Sequence, residues 1–95
     1  MEETFVAYPI VITPEKNNEY YQYLVFLPDF GTYCQANTII EALRVAVKFI
    51  RDYALTNELP PMKLELPHSI GEQLVTFVNV NLAAKKGVSV KYLWV

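Results

Sequence analysis

The chain has 95 residues, of which 53% are hydrophobic and 19% charged, and its formal net charge is -2. That length suits a single domain over residues 1–95, and so high an apolar content, able to offset chain entropy, excludes a disordered segment. The acidic balance gives no general attraction to phosphates, and a single cysteine excludes an internal disulfide.

The opening Met1-Glu2-Glu3-Thr4 lacks the basic start and apolar run of a secretion signal. No apolar run approaches the roughly 18 residues that suggest a membrane span, so a cytoplasmic location is expected. Phe5 to Ile12 predicts a strand, and Pro9 inside it fits best at an edge or a strand end. The polar stretch from Thr13 to Glu19 predicts a hairpin with Asn17-Asn18 near its tip. Tyr20 to Leu27 is rich in aromatic and β-branched residues and predicts the second strand. Alternation puts Tyr21, Tyr23, Val25 and Leu27 on one face and Tyr20, Gln22, Leu24 and Phe26 on the other. Neither face is polar, so both are expected to be covered, one by a helix and one by a partner or a second copy.

Pro28-Asp29-Phe30-Gly31 ends that strand, and Thr32 to Ala36 predicts a short third one. Thr38-Ile39-Ile40-Glu41 is a capping box, in which the Thr38 hydroxyl accepts from the Glu41 amide and the Glu41 carboxylate reaches back. A helix from Ile39 to about Thr56 follows, with two apolar rows: Ile39, Ala42, Ala46, Phe49, Tyr53 and Ile40, Leu43, Val47, Ile50, Ala54. Only a narrow strip, Glu41, Arg44, Lys48, Arg51 and Asp52, is charged. Pro60-Pro61 ends the helical pattern, and Met62 to Gly71 reads as an irregular crossing segment. From Gln73 to Leu82 the pattern is β-like, with Val78, Val80 and Leu82 out of phase with Val75 and Phe77, which predicts a bulge or a strand buried on both faces. A last strand is expected from Val88 to Val95. The architecture these elements predict is α+β: a small antiparallel sheet of about four strands with one main helix packed on one face.

Few polar groups converge on any chemistry. His68 lies between Pro67 and Ser69 with no second histidine in the chain, and reads as an exposed loop residue rather than a ligand or base. Cys34 sits in a short apolar strand and reads as a small core residue rather than a nucleophile. No metal-ligand spacing occurs, so neither metal nor cofactor is expected and the chain is read as a non-enzyme. Tyr20, Tyr21, Tyr23 and Tyr33 cluster on adjacent strands, where cross-strand pairing and a partner interface are equally good accounts. Base stacking on them would need interleaved basic residues, which are missing.

The run YLVFLPDFGTYCQANTIIEALRVAVKFI resembles the HicB family of antitoxins. That family carries a strand ending in Pro-Asp-Leu-Pro-Gly, a short second strand, and Gly-Asp-Thr before a helix beginning Glu-Ala-Leu. Pro28, Asp29, Gly31, Gln35, Thr38, Glu41, Ala42 and Leu43 stand in the matching places. Tyr8 to Ile12 is similar to the family's opening strand and Val78 to Leu82 to its closing Val-x-Val-x-Leu strand. The second proline of the loop is absent, Thr32 replaces the usual cysteine, and Ala36-Asn37 replaces Gly-Asp, so partner contacts are expected to differ from Phe30 to Asn37.

The resemblance implies a HicB-like, partly ribonuclease-H-like sheet and a chain that binds a small basic HicA-type messenger-RNA-cleaving toxin and covers its catalytic histidine. A two-metal nuclease on that sheet would need several carboxylates converging from strands, and Asp29 is the only acid in or beside the central ones. In many relatives a DNA-binding domain follows the closing strand; none is expected here, and this chain alone is expected not to bind nucleic acid. Toxin contact is expected at Tyr21, Tyr23, Asp29 and Tyr33. A homodimer or homotetramer is expected through Ile40, Val47, Tyr92 and Trp94. The competing reading is a stand-alone oligomeric HicB-like module with a non-toxin partner.

Overall fold

The computed structural model describes residues 5–82. The order is β1 (Phe5–Pro14), β2 (Tyr23–Leu27), β3 (Thr32–Ala36), α1 (Ile39–Thr56) and β4 (Leu74–Asn81). The four strands form one antiparallel sheet in the order β3-β2-β1-β4, with α1 packed across one face, so the fold is α+β as the sequence predicts. The expected strand from Val88 to Val95, with Tyr92 and Trp94, lies outside the described residues.

The helix begins where its cap predicts. Thr38 Oγ1 accepts from the Glu41 amide at 3.0 Å, and Glu41 Oε1 accepts from the Asn37 amide at 2.7 Å. Lys48 pairs with Asp52 at 2.7 Å on the exposed side, one turn apart; such an exposed pair contributes little. Ala42, Ala46, Val47 and Ile50 are fully buried, so the core draws on both apolar rows at once.

Strand two is shorter than its composition predicts. Asn18 Oδ1 accepts from the amides of Tyr20 and Tyr21 at 2.7 and 3.2 Å, which bends those residues into a side-chain-closed turn instead of the ladder. The regular ladder starts at Tyr23, opposite Pro14 of β1 and Ala36 of β3, just after Gln22, whose amide donates to Ala36 O and whose carbonyl accepts from the Glu15 amide.

β1 is not an edge strand, yet Pro9 lies on a stretch of it that has no strand on one side. Its ten residues pair with β4 over Phe5 to Ile12 but with β2 only over Val11 to Pro14. Amides of alternate residues point to the same side, and that of Ala7 meets Met62 Sδ at 3.2 Å on the side away from β4. Pro9 shares that side below the end of β2, so its missing N–H costs the ladder nothing.

The register assigns every strand residue to a face. Tyr8, Ile10, Ile12, Val25, Leu27, Ala36, Val78 and Val80 lie under the helix and are buried. Pro9, Val11, Leu24, Phe26, Tyr33, Val75 and Phe77 lie on the opposite face, where Pro9 and Val11 are buried and most of the others half-buried. The pairing of β1 with β4 advances without a break, so the phase change in β4 is a strand apolar on both faces and not a bulge.

Truncating Ile50 to alanine should cost about 2–5 kcal/mol in urea unfolding, whereas Ile40→Ala, at a position 62% exposed, should stay within about 0.5 kcal/mol. Equal losses would show that α1 is turned differently on the sheet.

Candidate interaction surface

The β2–β3 turn is closed tightly by backbone bonds. The amides of Phe30 and Gly31 both donate to Leu27 O, at 3.0 and 2.9 Å, and Gly31 takes a φ of 63°, a conformation glycine adopts without steric cost. This turn swings Phe30 under the helix. Its ring stands edge-on to Tyr8 at 5.0 Å, Tyr53 at 5.1 Å and Phe49 at 5.4 Å, joining the turn, β1 and the end of α1. Tyr8 donates its hydroxyl to Pro60 O, which ties the chain leaving the helix to the same corner.

Asp29 sits at the rim of this corner, half-buried. Its Oδ2 is closed off from solvent and has no hydrogen-bond partner. Burial raises the Tyr8 pKa above the ordinary tyrosine value, and the Asp29 charge adds to the rise. Burial likewise raises the Cys34 thiol, so the thiolate needed of a nucleophile is disfavoured. His68 is exposed, and among the described residues no group of three or more His, Cys, Asp or Glu is placed to hold a metal.

The sequence-predicted site residues do not form one face. Tyr23 lies on the helix side and packs against the core, while Tyr33 is paired opposite Phe26 on the other side, 58% exposed, with ring centroids 4.7 Å apart. Tyr21 is half-buried in the turn before β2, and Asp29 occupies the turn at the far end of that strand. Of the residues expected at an oligomer interface, Ile40 is exposed but Val47 is fully buried under the sheet. Val47 is therefore core: its neighbours Ala46 and Ile50 turn the same face of the helix inward.

Sequence reasoning missed Phe30 as the hub of this corner, although an aromatic between Pro-Asp and Gly marks a turn that has something to bury. The connection 57–73 carries no helix or strand, as the irregular crossing segment expected from Met62 to Gly71 implies. That connection is pinned low on β1 by Met62 at Ala7 and high on β1 by Gln73, whose amide donates to Thr13 Oγ1 at 3.2 Å. Connections of this length without regular structure are uncommon in compact domains and are usually functional.

No protein-family model matches the chain, and no curated protein matches it in sequence. The fold is similar to that of a chain in a toxin–antitoxin complex from Streptococcus pneumoniae, with a TM-score of 0.67 and 20% identity over 92% of this chain and 76% of that one. At that identity the likeness is one of fold. Among the described residues no helix is long and apolar enough to cross a membrane.

The raised Tyr8 pKa sets a sign for stability at high pH. Above about pH 10 the unfolded chain ionises this phenol while the folded one still holds the proton, so its contribution is complete below that pH and is lost as pH rises through the raised value. Tyr8→Phe should lower stability at neutral pH by about 1 kcal/mol, through the lost bond to Pro60, and flatten the alkaline decline. Urea midpoints of the two proteins between about pH 8 and 11 should converge; parallel curves would place the alkaline loss elsewhere.

Proposed function

We propose that this chain is the neutralising member of a toxin–antitoxin pair: a HicB-like antitoxin that binds a small basic HicA-type toxin and covers its RNA-cleaving surface. The observation that carries the reading is the arrangement around the β2–β3 turn. The strand, the Pro28-Asp29-Phe30-Gly31 turn, the short β3 and the capped helix follow one another in the order that the HicB resemblance implies, and they are built into a sheet similar to that of a chain from a toxin–antitoxin complex.

Inhibition by occlusion asks no chemistry of the antitoxin. It needs a rigid surface with aromatic anchors and charge of the right sign. The turn holding Asp29 is fixed by three aromatic contacts to Phe30, and Tyr33 stands exposed on the neighbouring strand with Phe26 behind it. An acidic chain, with 10 Asp and Glu against 8 Lys and Arg, complements a basic toxin. On this reading the chain acts in the cytoplasm, without a cofactor, and leaves DNA binding to another domain or protein. A second reading, a self-associating HicB-like module with a non-toxin partner, draws on the exposed apolar residues of the connection 57–73, which the toxin reading leaves unused.

Because Tyr23 and Tyr33 occupy different faces, their substitutions should separate. Tyr33→Ala should weaken toxin binding by about 2 kcal/mol with little change in melting temperature, and Tyr23→Ala should lower the melting temperature through the core. The test is a titration against the small basic protein encoded in the neighbouring reading frame, beside a growth assay in which that protein alone arrests cells and this chain relieves the arrest. No such protein, or one that this chain neither binds nor relieves, would overturn the reading.

A further inference from the structure

Within the connection, Met62-Lys63-Leu64-Glu65-Leu66 alternates apolar and charged residues as a strand does, and Pro61 and Pro67 bracket it. Yet it belongs to no sheet. Among the described residues none of its backbone groups is hydrogen-bonded, and its apolar side chains are 47%, 67% and 50% exposed at Met62, Leu64 and Leu66. Leu64 moreover holds a φ of 57°, the one non-glycine residue described with a positive φ, in a region that leucine rarely occupies. A segment patterned as a strand is thus left unpaired and bent at its centre.

We propose that this segment is a self-pairing edge through which two copies of the chain associate, antiparallel, about a two-fold axis passing at Leu64. In that register Lys63 of each copy lies opposite Glu65 of the other, so both charge pairs are satisfied. On the other face Met62 lies opposite Leu66 and Leu64 opposite Leu64, covering the exposed apolar residues. Sliding the pair by two residues in either direction sets Lys63 against Lys63 or Glu65 against Glu65, so the charges select the central register. Pairing also draws Leu64 out of the left-handed region into the extended one and gives the unbonded backbone groups partners. The same sequence offers a basic toxin no such match, because Lys63 stands beside the only acid of the segment. The proposal does not rest on the toxin reading and stands or falls separately from it.

Five paired residues bury far less than a standard interface, so association is expected at tens of micromolar rather than nanomolar. Sedimentation equilibrium of the full chain at low salt should show a reversible dimer. Lys63→Glu and Glu65→Lys, both at exposed positions, should each raise the dissociation constant about tenfold or more, since each replaces two attractive pairs by two repulsive ones. The double exchange should restore the dimer, and so should an equimolar mixture of the two single variants, which pairs an acidic segment with a basic one. At low concentration, where all of these chains are monomeric, far-ultraviolet spectra should be unchanged. A wild-type chain that stays monomeric at several hundred micromolar, a dimer indifferent to both single reversals, or a double exchange that fails to recover would overturn the proposal.

Discussion

Much of this structure follows from a mismatch in strand length. β1 has ten residues and β2 has five, so the start of β1 is paired with β4 on one side and has no strand on the other. That gap is where Pro9 is tolerated, and where Met62 takes up the free amide of Ala7. Because β2 stops early, its turn can fold Phe30 inward beneath α1, and Tyr8 reaches past it to hold Pro60. The chain leaving the helix is thereby fixed at one end of the sheet, although β4 must start at the other. A long connection is the geometric result, and its exposed apolar residues are the cost of that route.

The loop after β2 resembles the HicB loop in sequence and is held by contacts of its own. Without the family's second proline, the turn after β2 is held by two amides on Leu27 O, a left-handed glycine and a half-buried aromatic ring packed on the core. Asn37, standing where Asp precedes the cap in that family, has two roles. Its amide donates to Glu41, and its Oδ1 accepts from the Gln22 amide at 3.2 Å, which joins the start of the helix to the start of β2. Ala36 in place of glycine is nearly fully buried on the helix side.

The helix was legible because its signals are local: a cap, a capping carboxylate and a 3.6-residue apolar period all act within a few residues. β3 and β4 were legible for the same reason, from alternation. What alternation within a strand does not fix is the face of one strand relative to the next. Tyr23 and Tyr33 look equivalent in sequence, but the register set by the turn at 28–31 pairs Tyr23 with Ala36 and Tyr33 with Phe26, and so places them on opposite faces. Val47 misled in the same way, since two adjacent apolar rows on a helix do not say which is innermost until the sheet's twist sets the contact line. The start of β2 was hidden by a side chain: Asn18 captures two amides that composition alone would assign to a ladder.

The distribution of aromatic residues bears on the kind of work the surface does. Phe30 joins Tyr8, Phe49 and Tyr53 into one edge-to-face cluster inside the fold, which makes the corner beside Asp29 stiff. Phe26 and Tyr33 stack on the other side of the sheet, with one ring largely in solvent. A stiff acidic corner and an exposed ring backed by a second ring are features that recognise a preformed surface, since little side-chain freedom is left to lose on contact. The segment 62–66 is the opposite case: among the described residues its backbone is unbonded and its central leucine is bent out of the extended region, so it gains most from a partner that supplies backbone hydrogen bonds. The fold thus carries both a rigid surface suited to side-chain recognition and a strand-patterned segment suited to pairing.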